Sequence, residues 1–111
     1  MTIQRYIHSL VQRVHNHPSN ESELRTRLEY ARAYRYGADR LKAYRDRAIE
    51  REIGKTYTEG AQLAILFNKD IHPDEYEAYQ RHRAECKARV DSAIAELESD
   101  IVRALEEGEN D

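Results

Sequence analysis

Residues 73–105, PDEYEAYQRHRAECKARVDSAIAELESDIVRAL, carry one series of side chains at alternating steps of three and four residues. The series is Tyr79, Arg83, Cys86, Val90, Ala93, Ile94, Leu97, Ile101 and Leu105. An α-helix brings such positions onto one face, and a largely apolar face of about thirty residues is typical of a coiled-coil seam. The pattern predicts a long helix over residues 74–106, with Pro73 in or just before its first turn.

A second apolar series predicts another long helix, over residues 21–53. Its members are Leu24, Leu28, Ala31, Tyr34, Ala38, Leu41, Ala48, Ile49 and Ile53. Gly37 weakens the middle of such a helix by up to ~1 kcal/mol relative to alanine, and we expect the helix to continue through it. Gly54 is expected to end it. Asn20 and Glu23 have the spacing of a capping box, which places the start near Glu21.

Two shorter helices complete the prediction. The stretch TIQRYIHSLVQRVH, residues 2–15, has apolar side chains on one stripe, and the following NHPSN ends it. Thr56 and Glu59 repeat the capping-box spacing ahead of AQLAILFN, so a short helix is expected after Thr58. Asn68 suits a left-handed helix end.

These elements predict an all-α fold: a long antiparallel helical hairpin with two short helices. Each long helix has a narrow, alanine-rich seam, so a hairpin leaves apolar area uncovered unless further copies complete the bundle. We therefore expect a homodimer or higher oligomer that associates through the seam containing Cys86, Leu97 and Ile101. The length of 111 residues indicates one domain over 1–111. Residues 107–111 are expected to be a frayed acidic tail.

Composition excludes several classes of protein. The longest apolar run, residues 63–67, is far shorter than the roughly 18 residues of a membrane span, so no membrane contact is expected. Arg5, His8 and Arg13 interrupt any signal-peptide core at the N-terminus. The single cysteine, Cys86, excludes an internal disulfide and favours a reducing cytoplasm.

The charge is distributed unevenly along the chain. Residues 1–73 contain 13 basic and 9 acidic residues, a net charge of +4, whereas residues 74–111 contain 5 and 12, a net charge of −7. Because opposite charges attract, the two parts favour pairing within one chain or between copies.

The most basic stretch, YARAYRYGADRLKAYRDR at residues 30–47, contains four tyrosines, six basic residues and two acidic residues. At 100° per residue, Tyr30 and Tyr44 fall at the border of the apolar sector, where they are expected to pack. The opposite side carries an arginine stripe that consists of Arg25, Arg32, Tyr36, Arg40 and Arg47. These five residues are the predicted binding site for a partner or ligand.

Three interpretations of the arginine stripe remain open. It is neutralised by the acidic helix over 74–106, it holds phosphates and a stacked base, or it contacts an acidic protein partner. Guanidinium groups match phosphate oxygens and an aromatic face accepts a nucleobase, so the second interpretation is chemically sound. The stripe also contains Glu29 and Glu50, which favours the first.

Catalytic and metal-binding patterns are weak. GKT at residues 54–56 lacks the earlier glycine and strand of a phosphate-binding loop. His15 and His17 have no further ligand at a suitable spacing. Cys86 has only His82 nearby on the same helix, and we expect a buried structural thiol. We therefore expect no enzyme activity, no cofactor and no metal.

The run YTEGAQLAILFN, residues 57–68, followed by EYEAYQRHRAECKARVDSAIAEL, residues 75–97, resembles helical segments of small bacteriophage-encoded accessory proteins, including tail-associated ones. The resemblance implies a phage protein that binds a macromolecular partner stoichiometrically in the host cytoplasm, either in virion assembly or as an inhibitor of host defence. It assigns no functional residue. The alternative is a protein that sequesters nucleotides or nucleic acid through Arg32, Tyr36 and Arg40.

Overall fold

The structure is a computed structural model that describes residues 1–108. The helices are α1 (Ile3–Asn16), α2 (Glu21–Tyr36), α3 (Ala38–Gly54), α4 (Glu59–Phe67) and α5 (Pro73–Gly108), with a short 3-10 turn over Pro18–Asn20. No strand occurs among these residues, so the predicted all-α class is confirmed. The antiparallel hairpin and the oligomer stay predictions. Within the same part of the chain, no helix has the length and apolar composition required to cross a membrane.

Two threonines begin helices by capping their free amides. Thr2 Oγ1 accepts a hydrogen bond from the Arg5 amide at 3.2 Å, and Thr58 Oγ1 accepts one from the Ala61 amide at 3.1 Å. Both threonines have the extended backbone that an N-cap requires. The short helix expected after Thr58 is confirmed, whereas the capping residue is Thr58 and not Thr56.

The other polar helix ends also differ from expectation. Although α2 begins at Glu21 as predicted, Asn20 forms no side-chain cap, because its φ of −109° and ψ of 16° are not extended. Asn68 ends α4 with a φ of −102°, so the expected left-handed geometry was wrong. Gly54 and Pro73 end α3 and begin α5 as predicted.

Gly37 divides the predicted helix over 21–53 into α2 and α3. Its φ of 105° and ψ of −169° lie in a region that is accessible essentially only to glycine. The Gly37 amide still donates to the Ala33 carbonyl, and its own carbonyl accepts from the Leu41 amide, both at 3.1 Å. The expectation of one continuous helix was wrong because glycine turns the backbone here without losing these hydrogen bonds.

The chain forms two compact units, and the first consists of residues 1–44 with the part of α5 from Ile94 onward. Its buried core is formed by Ile7, Leu10, Leu24, Leu28, Tyr30, Ala31 and Ile101. The Tyr30 ring meets the Tyr44 ring edge to face, with centroids 5.3 Å apart. Burial raises the pKa of the Tyr30 phenol. The predicted packing role of these two tyrosines is thus confirmed.

The second unit is residues 45–93, and its buried side chains are Ile49, Ile53, Ile65, Tyr79, Cys86 and Val90. A polar contact fixes α4 in this unit: the Tyr79 hydroxyl donates to Gln62 Oε1 at 2.6 Å, and Gln62 Nε2 donates to the Tyr57 carbonyl at 3.2 Å. The Tyr57 ring lies edge to face on Tyr79 at 5.1 Å.

Cys86 and Ile101 of the seam on α5 are covered within one copy of the chain, whereas Leu97 is half-buried and Ala93 is exposed. Cys86 has no exposed surface, and Ile101 retains about 1% exposure. The expectation that these side chains form the contact between copies was therefore wrong. Helix α5 continues to Gly108, and residues 109–111 of the predicted frayed tail lie outside the described residues. The prediction of a single domain over 1–111 remains a prediction.

Candidate partner-binding surface

Tyr36 is the most prominent aromatic residue of the first unit. It is the last residue of α2, and 71% of its surface is exposed, which confirms the predicted outward position. Gly37 turns the backbone directly after Tyr36, so α2 ends at Tyr36. The Tyr36 ring therefore lies at the junction of α2 and α3.

Two guanidinium groups lie beside the Tyr36 ring. The Cζ atoms of Arg35, in the last turn of α2, and Arg40, in the first turn of α3, are each 5.9 Å from the ring centroid. This distance is within the range over which the negative face of an aromatic ring attracts a cation. We call Arg35, Tyr36 and Arg40 the Tyr36 surface. It offers one apolar ring and two positive charges to a partner.

The remaining residues of the arginine stripe are Arg25, Arg32 and Arg47. Arg25 forms an ion pair with Glu21 of its own helix, with Nε and Oε1 2.7 Å apart. Arg32 is exposed and has no carboxylate partner among residues 1–108. Arg47 is exposed on α3, in the second unit. The helix break at Gly37 divides the five residues between α2 and α3.

Two ion pairs join α3 and α5 within the second unit. Arg45 of α3 donates to both carboxylate oxygens of Asp91, at 2.7 and 3.2 Å, and Arg89 of α5 lies 3.5 Å from Glu52 Oε1. The hydrogen bond from Arg45 lowers the pKa of Asp91 below its usual range. Neither Arg32 nor Arg40 pairs with the acidic helix among the described residues of one copy.

Cys86 is held in a polar contact beneath the surface. Its Sγ lies 3.4 Å from His82 Nε2, and Arg89 Nη2 donates to the same sulfur at 3.4 Å. The His82 ring also meets Tyr57 edge to face at 5.2 Å. The thiol is fully covered, so its expected burial is confirmed.

No protein-family model, curated protein or solved structure matches this chain.

Sequence reasoning missed a second exposed surface, in the second unit. We call it the α4 outer face; it comprises Leu63, Leu66, Phe67 and Ile71, which are all exposed. Phe67 is 86% exposed and is the only phenylalanine in the chain. The sequence indicated this surface, because AQLAILF has no charged side chain and its apolar side chains lie on more than one side of a helix. A neighbouring element that packs on one side leaves the other side exposed.

Proposed function

We propose that this chain is a non-enzymatic protein that acts by stoichiometric binding of a macromolecular partner through the Tyr36 surface. The observation that carries the proposal is the exposed Tyr36 ring with Arg35 and Arg40 each 5.9 Å from its centroid. Tyrosine and arginine are the residues most often found at the energetic centres of protein interfaces. Both ring neighbours are basic, so the matching partner surface is acidic.

The resemblance of residues 57–68 and 75–97 to phage-encoded helical proteins supports the kind of partner proposed. Such a protein would act in virion assembly or as an inhibitor of a host defence protein. The proposal includes self-association and action in the host cytoplasm. The single cysteine favours a reducing compartment.

The proposal assigns no catalytic residue. The thiol of Cys86 is fully covered, and its contacts with His82 and Arg89 are internal. A nucleophile in that position cannot meet a substrate without opening the second unit, so a binding function is favoured over a covalent reaction.

The test is capture of partners from a host lysate by the immobilised full-length chain, with mass spectrometry of retained proteins and nucleic acid. Tyr36→Ala and Arg40→Glu are expected to abolish capture and leave helicity unchanged, because exposed positions change stability by less than about 0.5 kcal/mol. Arg51→Glu, a change at another exposed arginine of α3, is the matched control and should retain the partner. Capture that survives both substitutions at the Tyr36 surface would exclude this proposal.

A second candidate is binding of nucleotides or single-stranded nucleic acid by Arg32, Tyr36 and Arg40. An exposed ring with adjacent guanidinium groups is also what base stacking and phosphate contact require. Fluorescence anisotropy with a labelled single-stranded oligonucleotide separates the two candidates. This candidate predicts binding that weakens steeply with salt and is lost in Tyr36→Ala. An oligonucleotide that does not bind at low salt would eliminate it.

A further inference from the structure

The α4 outer face is the largest apolar feature that the second unit leaves uncovered. Phe67 and Ile71 are 86% and 72% exposed, and Leu63 and Leu66 are exposed beside them. Together they present on the order of 400 Å² of apolar side chain, judged from the area of large side chains. Patches of this size on a single chain commonly mark an interaction surface.

Helix α4 has apolar side chains on two opposite sides, but the rest of the second unit covers only one of them. Ile65 is buried, and Ala61 and Gln62 are partly buried on the covered side, where Gln62 also accepts the Tyr79 hydroxyl. From Gly60 to Phe67 there is no charged side chain. A helix of this composition is expected to be surrounded by other protein, so its outer side requires a second contact.

We propose that a second copy of this chain covers the α4 outer face, with the two α4 helices antiparallel about a two-fold axis. The inference rests on the proposed function only for the expectation that the chain self-associates. In a two-fold contact the same patch faces itself, and an uncharged apolar patch is compatible with its own copy. The antiparallel arrangement also opposes the two helix dipoles.

The charges at the two ends of α4 favour this occupant. Glu59 is the first residue of the helix, and Lys69 lies in the turn just after it, directly before the acidic Asp70. Roughly 13 Å of helix separates Glu59 from Lys69 within one copy. Both are exposed, and neither forms an ion pair among residues 1–108. In an antiparallel pair, Glu59 of each copy lies opposite Lys69 of the other, which gives two reciprocal ion pairs around the apolar centre.

The area is consistent with a dimer of ordinary size. A standard interface buries about 800 Å² per partner, so the apolar centre supplies roughly half of it. The remainder is a polar rim that includes Glu59 and Lys69. This division into an apolar centre and a charged rim is the usual anatomy of a protein interface.

The first test is the mass of the full-length chain by size-exclusion chromatography with light scattering at ~100 μM. The wild type is expected at twice the 13.1 kDa of one chain. The double variant Phe67→Ser, Ile71→Ser should have the mass of one chain with an unchanged helical circular dichroism spectrum. Val11→Ser, at an exposed aliphatic position of α1 in the first unit, is the matched control and should remain dimeric.

A charge exchange tests the arrangement without altering the apolar centre. Glu59→Lys places two lysines together, and Lys69→Glu places two glutamates together, so each single change should raise the dimer Kd by about tenfold. The double exchange restores opposite charges and should return the Kd to within about threefold of the wild type. Loss of the favourable Glu59 charge at the helix start is common to Glu59→Lys and the double variant, so recovery from the first to the second isolates the contact between copies.

Three results would overturn the inference: a wild type with the mass of one chain, a Phe67 and Ile71 double variant that stays dimeric, or a double exchange no better than the single ones. Binding of the monomeric chain to lipid vesicles through Phe67 would identify a different occupant and would also overturn it. Tyr36→Ala leaves this dimer unchanged, so failure of the proposed partner binding is measured separately.

Discussion

At the scale of single residues, Gly37 has the strongest effect on where functional side chains lie. Its φ of 105° ends α2 directly after Tyr36 and begins α3 shortly before Arg40. No atom lies within 4 Å of the position that a Cβ at Gly37 would occupy, so the constraint comes from the backbone and not from crowding. A residue with a Cβ is strained in this conformation whatever space surrounds it.

Gly37→Ala is expected to lower the free energy of unfolding by about 1–2 kcal/mol, because alanine cannot adopt the Gly37 conformation without strain. Urea denaturation followed by circular dichroism measures the change. Gly60→Ala in α4 is the matched control, since Gly60 has an ordinary φ and open space around it, and it should be neutral or slightly stabilising. A stabilised Gly37→Ala variant would mean that residues 21–53 form one straight helix.

At the scale of helices, the ends that local chemistry determines could be predicted from the sequence. Gly54 and Pro73 act through their own backbone, and the outward position of Tyr36 follows from helical periodicity. Gly37 could not be resolved, because a glycine costs a helix only about 1 kcal/mol and its neighbours decide whether the helix continues. The α4 outer face was missed because periodicity identifies which side chains share a face, and not whether another element covers that face.

The ion pairs between α3 and α5 give a prediction about pH. Hydrogen bonds from Arg45 and Lys55 lower the pKa values of Asp91 and Glu52, respectively. A carboxylate whose pKa is lower in the folded state than in the unfolded state stabilises the folded state. This stabilisation is fully present at a pH above the unfolded-state pKa, which is near 4. It is lost as the pH falls through the folded-state pKa. The free energy of unfolding should therefore fall as the pH is lowered from about 5 to 2.

Asp91→Asn should make this decline shallower, because asparagine does not titrate. Glu85→Gln, an exposed change on α5 at a carboxylate with no ion pair among the described residues, should decline as the wild type does. Urea denaturation at several pH values provides the comparison. An Asp91→Asn curve parallel to the wild-type curve would show that the pair with Arg45 does not contribute in solution.

At the scale of the whole molecule, two surfaces lie in different compact units and suit different partners. The Tyr36 surface is aromatic and basic, whereas the α4 outer face is apolar, with Glu59 at one end of its helix and Lys69 and Asp70 just beyond the other. The whole chain has a net charge of −3, so it does not attract polyanions in general. The local positive charge of the Tyr36 surface favours acidic partners at that surface. A dimer through α4 would present two copies of the Tyr36 surface and so increase avidity for a repetitive partner.

The most direct measurement of the central claim is site-specific photocrosslinking in a host lysate, with Tyr36 replaced by a photoreactive phenylalanine analogue. The proposed function predicts one discrete protein adduct from position 36 and none from the same analogue at Arg51, with Arg40→Glu removing the adduct. An adduct degraded by nuclease would favour the nucleic-acid alternative. No adduct at position 36, or the same adduct from both positions, would contradict the assignment of partner binding to the Tyr36 surface.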